Sequence, residues 1–352
     1  MIKSSFSQWL PDMDLAFNLF DEPRVSVPFD EIEDYRKLGK EALTRSKKGV
    51  DPSFSKDGGS LWNSEWMESE IPIPDRGPSE SPFQLDSFRQ SFHTYATRGC
   101  SPKSTALKGW QWNPSEHCTS CASPHSIGQF MSNWTLAGDM CHQPDMANLH
   151  GFFLSPSAMK VSDQLLPVFS QSKTHGFNDI LYPSSWNYLE NTKYDEERDK
   201  LRFSAKSQDL FWRGGTSEGF SLNGQWKGME RQRLVHLVNN ITATTSVPML
   251  INDNKLYYEN FPARDLEGLL HFNVSFVDHA VRCGAGDCEK QNAEFNITEG
   301  NGIDFQEHWN HKYLLDMDGA AFSGRFLPFL WSKSLPFKAG IFRKYPLSDL
   351  FI

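Results

Sequence analysis

The sequence contains no long apolar run. No stretch approaches the ~18–20 residues that carry a helix across a bilayer, and the N-terminus, MIKSSFSQWLPDMD, has no apolar core of the kind a signal peptide needs. It lacks a basic excess as well: 35 Lys+Arg stand against 44 Asp+Glu, a net charge of -9. A general nucleic-acid binder, whose footprint is a basic surface, is therefore not expected. Cysteine is sparse, with six residues at positions 100, 118, 121, 141, 283 and 288. Taken literally, the N-terminus predicts a cytosolic protein. The even cysteine number and the glycosylation sequons at Asn133, Asn240, Asn273 and Asn296 argue the other way. The expectation is a lumenal protein whose N-terminal membrane anchor lies outside this chain.

The cysteines leave two readings. Cys118 and Cys121 form a CxxC near His117, His125, Cys141 and His142, which raises a structural zinc site. Such a site needs a second close ligand pair. Cys141-His142 is a poor one, since adjacent residues rarely both point at one ion. Disulfides or free thiols are the expected state, with zinc as the alternative. Cys283 and Cys288 are expected to bridge a local loop, as a secretory compartment allows.

With 352 residues, 38% of them hydrophobic and 22% charged, the chain can bury a large core and is expected to form two domains. Its organising stretch is HKYLLDMDGAAFSGRFLPFLWSKSLPFKAG, from His311 to Gly340. Tyr313 to Met317 reads as a buried strand and Asp318-Gly319 as a turn. Ala320 and Ala321 follow, and Ser323 is expected to cap a helix carrying Phe326, Leu327, Phe329, Leu330 and Trp331. Leu335 to Phe337 reads as the next strand. A unit of this kind sets backbone N–H groups and a helix start at the carboxyl end of a strand, where α/β proteins bind anions. Arg325, expected in the first helical turn, opposes the helix dipole by roughly 0.3–1 kcal/mol unless an anion sits nearby.

The same pattern recurs upstream. Leu15 to Leu19 reads as a strand ended by Asp21-Glu22-Pro23, which puts Asp21 at a strand's carboxyl end. A charged helix is expected from Glu31 to Ser46, then loop-rich chain interrupted by Trp62, Trp66, Trp110 and Trp112. Val168 to Ser170 ends a strand, with Ser170, Ser172, Lys173 and Thr174 as loop hydroxyls and a cation, and Asp179 to Pro183 follows. Glu190 to Lys206 reads as a surface helix or linker, with a domain boundary near Ser204. Leu210 to Arg213 is a strand, Gly214 and Gly215 permit a sharp turn, and Thr216 offers a hydroxyl. The turn matches neither the P-loop nor GxGxxG. A helix from about Gly228 is expected to bury Leu234, Val235, Leu237 and Val238, and carries Arg231 and Arg233. Phe272 to Val277 is a further strand, ending at Asp278-His279. Two Asp-x-Asp pairs, Asp12/Asp14 and Asp316/Asp318, invite a metal reading. They are expected instead to be strand-end and turn residues, their carboxylates on one face by strand alternation. No dedicated metal site is expected, and a loosely held manganese ion stays open.

The His311–Gly340 stretch, with the Asp21-x-Pro, Ser170–Tyr182 and Arg213–Thr216 segments, resembles glycosyltransferase family 90, which includes fungal capsule-associated proteins and Rumi-type protein O-glucosyltransferases. The likeness covers roughly residues 6–30 and 165–343. It implies an α/β, GT-B-like architecture with two Rossmann-like domains facing across a cleft, here about 1–203, with an insertion over about 30–160, and 204–352. It also implies inverting transfer of xylose or glucose from a UDP-sugar to a glycan or protein hydroxyl. On that likeness Asp21 is the general base. Arg213, Gly214, Gly215, Thr216, one of Arg231 and Arg233, and Asp318, Gly319, Ala320, Ala321, Ser323 and Arg325 hold the donor diphosphate. Ser170, Ser172, Lys173, Thr174, Asp179 and Tyr182 line the cleft. The glycine at 215, where Rumi-type members have serine, points to the fungal sub-type. After Gly340 the family's tryptophan-rich continuation is missing, so the donor domain is expected to be incomplete. The alternative function is a truncated relative that binds nucleotide or sugar without turnover.

Overall fold

Short apolar runs that end in turns build two parallel sheets, one on each side of residue 204. The computed structural model describes residues 15–46, 84–85, 91–108, 126–127, 130–131, 133, 138–144, 146–239, 246–262, 265, 271–298, 300 and 302–343. The first strand, β1, is only Ala16–Phe17, shorter than the expected 15–19. Asn18 is the reason. Its amide donates to Glu22 O at 2.7 Å and its Oδ1 accepts from Phe20 N at 3.0 Å, an Asx turn that diverts the chain. Helix α1, Phe29–Ser46, follows Pro28 and opens with Asp30 and Glu31, the charge sign a helix start favours. Strands β2, Val168–Ser170, and β3, Ile180–Leu181, complete a parallel sheet in the order β1-β2-β3. The carboxyl ends of these strands lead into Asp21, Gln171–Ser172 and Tyr182.

The second sheet is built from β4, Ser207–Gly214, β7, Phe272–Phe276, β8, His311–Met317, and β9, Leu335–Ala339. Between them lie α2, Glu230–Asn239, the antiparallel hairpin β5–β6, Ser246–Asp253 and Lys255–Pro262, α3, Asp287–Glu294, and α4, Phe326–Trp331. The order β7-β4-β8-β9 is parallel throughout. Strand alternation divides its side chains. Trp212, Val274, Phe276 and Met317 pack with Val235 of α2, whereas Phe211 and Leu314 pack with Trp309 and Phe329 of α4. The two helices therefore cover opposite faces. The connection from β4 runs to β7 on one side, and that from β8 to β9 on the other. The gap between β4 and β8 is a topological switch point, where α/β sheets form their binding crevice.

Four details differ from expectation. Leu237 on α2 is 60% exposed, and the buried face carries Arg231 and Gln232 beside Val235. The segment 190–206 is no surface helix. It forms isolated 3₁₀ turns because its polar groups are needed inside: Lys206 Nζ meets Asp199 Oδ1 at 2.6 Å, Trp309 O at 2.6 Å and Ser334 Oγ at 2.9 Å. The region between α1 and β2 is not merely loop, since Phe92, Tyr95, Phe152 and Phe153 form a core with Phe177, Ala321, Phe322 and Phe342. Of the sequons, Asn273 lies in β7 with its Oδ1 accepting from Arg213 at 2.5 Å, while Asn133 and Asn296 are exposed and Asn240 lies outside the described residues.

The Lys206–Asp199 pair is fully buried at both ends. Removing one partner strands the other charge in the interior, so Lys206→Met is expected to lower the unfolding free energy by about 3–5 kcal/mol, read from urea unfolding followed by circular dichroism.

Candidate functional site

The loops that leave β4 and β8 at the switch point hold most of the expected donor-binding residues. Gly214 is there for space: a Cβ would come within 2.7 Å of the Trp212 ring and 3.2 Å of Arg325 Nη1. At Gly215 a Cβ would meet nothing within 4 Å, so this backbone borders open space. Arg325 is the N-cap of α4 rather than a first-turn residue, two residues beyond the expected cap. Ser323 instead accepts from Arg325 N at 3.3 Å and Arg325 Nε at 3.2 Å, steering the side chain back over the strand ends. Pro328 is tolerated because it falls in the first turn, where no intrahelical N–H is lost.

Arg325 donates to Arg213 O and lies 3.7 Å from Asp316 Oδ1. Arg231 reaches the same place from α2. Its Nε donates to Asp318 O at 2.7 Å, its Nη1 to Gly215 O at 2.8 Å and its Nη2 to Met317 O at 3.1 Å. Both guanidinium groups lie over the Trp212 ring, at 5.6 and 5.8 Å from its centroid. Burial, and then repulsion from Arg325, push the Arg231 pKa down to about 10. Of the two arginines expected here, Arg231 is the one whose side chain lies at the strand ends. Arg233 is exposed, its guanidinium donating to Gly228 O and Leu149 O, and it does not reach the strand ends.

Several expected phosphate contacts are already engaged elsewhere. Arg213 turns along the sheet to Asn273, donating to its O at 2.7 Å, and contributes its own carbonyl to Arg325. Thr216 is 2% exposed and pairs with the backbone of Val281, donating to O at 3.2 Å and accepting from N at 2.8 Å. Gly319 N donates to Ala321 O at 3.0 Å, and Ala320 and Ala321 are buried.

Asp316 and Asp318 do share a face, as alternation demands, and a lysine sits where a metal ion would. Lys338 Nζ lies 3.1 Å from Asp316 Oδ2 and 3.4 Å from Asp318 Oδ1, and both aspartates are fully buried. Burial alone would lower the lysine pKa, but the two carboxylates raise it well above the usual range. Asp318 Oδ2 also accepts from Ile341 N at 2.6 Å and Phe342 N at 3.1 Å. A Cβ on Gly340 would collide with that carboxylate. Asp12 and Asp14 lie outside the described residues.

At the carboxyl edge of the first sheet, Asp21 keeps a side chain 35% exposed, with Oδ2 3.9 Å from Arg282 Nη2. Arg282 was not foreseen. It adopts a left-handed φ of 57° immediately before the loop closed by the Cys283–Cys288 disulfide. Its Nη1 also donates to Ser217 O at 3.3 Å, so one guanidinium joins the Asp21 carboxylate to the loop after β4. Burial raises the Asp21 pKa, and Arg282 partly offsets the rise. The cleft residues are more internal than expected. Ser170, Ser172, Thr174 and Asp179 are each at most 1% exposed. Asp179 accepts from Arg24 N at 2.8 Å, Val25 N at 2.9 Å and Ser170 Oγ at 2.6 Å, fastening the segment after Asp21 to the sheet. Lys173 Nζ donates to Asp179 O at 2.7 Å, and Tyr182 packs edge-on against Phe17. Only Lys173 and Tyr182 of this set are partly exposed.

The zinc alternative loses a ligand, because Cys141 forms a disulfide with Cys100. His117, Cys118, Cys121 and His125 lie outside the described residues. Lys338→Met is expected to leave Asp316 and Asp318 uncompensated and to cost about 3–5 kcal/mol of stability, measured by denaturant titration; a loss under 1 kcal/mol would refute the charge assignment. No family model matches the chain, and no curated protein matches it, so the reading of this site rests on its own geometry and on the sequence motifs.

Proposed function

We propose that the chain is a glycosyltransferase of the GT-B type that moves a sugar from a UDP-sugar to a glycan or protein hydroxyl by single displacement. The observation that carries the reading is the Arg282 bridge. It sets a half-exposed carboxylate at the end of one parallel sheet beside the strand-end loops of another. Transfer needs a base for the acceptor hydroxyl, alignment of the reacting atoms, and stabilisation of the departing diphosphate. Asp21 is the base, its raised pKa making it a better proton acceptor than an ordinary aspartate. Arg325 holds the diphosphate: its side chain is 17% exposed, and its guanidinium has more N–H groups than its protein acceptors use. Arg231 stiffens the loops and adds positive potential. Two buried guanidinium groups that repel one another favour an anion between the strand ends. Residues 1–203 and 204–352 act as the acceptor and donor halves. Xylose and glucose remain the donor candidates, and the glycine at 215 accords with the fungal sub-type.

A secretory location accords with the disulfides Cys100–Cys141 and Cys283–Cys288. No helix among the described residues is long and apolar enough to cross a membrane. The second reading, binding without turnover, is favoured by the internal engagement of Arg213, Thr216 and Arg231.

Calorimetry with UDP tests the donor assignment that both readings share, and a transfer assay then separates them. Micromolar binding is expected, with Arg325→Lys losing at least about tenfold because the planar fork is gone; no binding by folded protein sinks the donor assignment. Asp21→Asn is expected to keep UDP affinity and lose about 10²–10⁴-fold in transfer, whereas retained transfer removes Asp21 as the base. The acid limb of kcat/KM is expected above the ordinary aspartate pKa. Arg282→Ala, which removes the cation that lowers the Asp21 pKa, should move that limb to still higher pH, as read from pH–rate profiles of the two proteins.

A further inference from the structure

A second polar cluster lies against the strand-end loops and takes no part in the chemistry above. His150 precedes the helical turn Gly151–Leu154 and is 2% exposed. Its Nδ1 accepts from Phe152 N at 3.2 Å. Its Nε2 has no hydrogen-bond partner, yet it points between Glu230 Oε2 at 3.9 Å and Asp318 Oδ2 at 3.8 Å. Oε2 of Glu230 is likewise unpartnered. Glu218, fully buried, places Oε1 3.9 Å from Nδ1. These gaps are too long for hydrogen bonds. A buried polar group left unpaired costs about 1–3 kcal/mol, and here two of them face each other.

The spacing suits an ion. Donors bound at about 2.0–2.2 Å to one cation lie no more than about 4.4 Å apart; His150 Nε2 and Glu230 Oε2 meet this at 3.9 Å, and Glu218 completes a group of ligand atoms within 4.8 Å of one another, so it closes by a few tenths of an ångström on binding. Charge points the same way. Lys338 is committed to Asp316 and Asp318, and among the described residues the only ion-pair partner of Glu218 and Glu230 is His150. Asp318 Oδ2 already accepts two backbone N–H groups, so it adds negative potential rather than a ligand bond. The Glu230 side chain is 22% exposed, which leaves an entry path. Imidazole together with carboxylates is a donor set for first-row divalent ions and not for calcium or magnesium alone.

We propose that His150, Glu230 and Glu218 bind a divalent cation of the manganese or zinc class through Nε2 and carboxylate oxygens. The ion takes the place of the Nε2 proton. Coordination through Nε2 puts the ring's remaining proton on Nδ1, so the bond that Nδ1 accepts from Phe152 N is given up when the ion binds. The ion would tie the segment before Gly151 to the loop after β4 and the start of α2. It is separate from Asp21 and Arg325 and does not depend on the transferase reading.

The test uses full-length protein stripped with chelator and titrated with Mn²⁺ or Zn²⁺, with no nucleotide present. Expected are one ion per chain and a raised Tm. With Mn²⁺, electron-spin-echo spectra should show coupling to an imidazole nitrogen, lost in His150→Gln. Glu230→Gln removes a ligand whose Oε2 makes no hydrogen bond, so the fold should survive, verified by circular dichroism, while affinity falls at least tenfold. No bound ion, no nitrogen coupling, or unchanged affinity in Glu230→Gln overturns the site. In that event the cluster is held by a protonated His150 imidazolium.

Discussion

The Asp318 carboxylate is the point through which the second sheet is joined to the rest of the molecule. It is fully buried, and burial alone would raise its pKa, yet Lys338, His150 and the amides that point at it hold the pKa below the ordinary value. The groups satisfying it come from beyond the strand that bears it: Lys338 from β9, and Ile341 and Phe342 from the chain reversal that follows, while His150, from the region before β2, lies 3.8 Å away. Its own backbone carbonyl accepts from Arg231 of α2. A buried carboxylate must be met by several donors or not exist. Meeting that demand brings the β8 loop, the end of β9 and α2 into one arrangement.

Arg231 and Arg325 follow the same physics with the sign reversed. A guanidinium tolerates burial when its N–H fork finds carbonyls, and loop carbonyls at strand ends are free of ladder partners. The two arginines therefore rigidify loops that a glycine-rich turn would leave loose, chiefly through backbone carbonyls, with Asp316 beside Arg325 as the one close carboxylate. The result is a pair of guanidinium groups set over the Trp212 ring at the switch point.

Much of the frame was legible because strands that end in turns leave strong local marks. Tyr313–Met317, Leu335–Phe337, Leu210–Arg213 and Val168–Ser170 all became strands, and Asp21 and Arg325 fell in the chain that follows the carboxyl ends of β1 and β8. What local pattern could not show was which polar side chains the interior would absorb. Ser170, Thr174 and Asp179 read as loop hydroxyls and a cleft acid, and all are internal fasteners. Asp316 and Asp318 share a face as expected, but their partner Lys338 stands 20 residues beyond Asp318 and gave no sign of its role. Arg282 is an arginine in an ordinary-looking loop, and its importance comes from a left-handed backbone and a disulfide. The α2 face failed for a related reason: burying Arg231 rotates the helix so that Leu237 points outward. The β5–β6 hairpin was missed because its alternation is broken by Pro248 and Asn254.

The loop bearing Arg282 is held shut by a bond made only under oxidising conditions. The segment from Val281 to Asp287 docks onto residues 216–224 through Ser221, whose N donates to Arg282 O and whose O accepts from Gly284 N. Asp287 Oδ2 accepts from Ser221 Oγ at 2.7 Å and Gly224 N at 2.8 Å. With Cys283 and Cys288 as thiols, the chain would keep these hydrogen bonds to residues 216–224 and lose only the covalent closure of the turn that follows Arg282. The disulfide therefore reinforces a docking that backbone and carboxylate bonds already make, and the placing of Arg282 beside Asp21 is shared between covalent and non-covalent restraints.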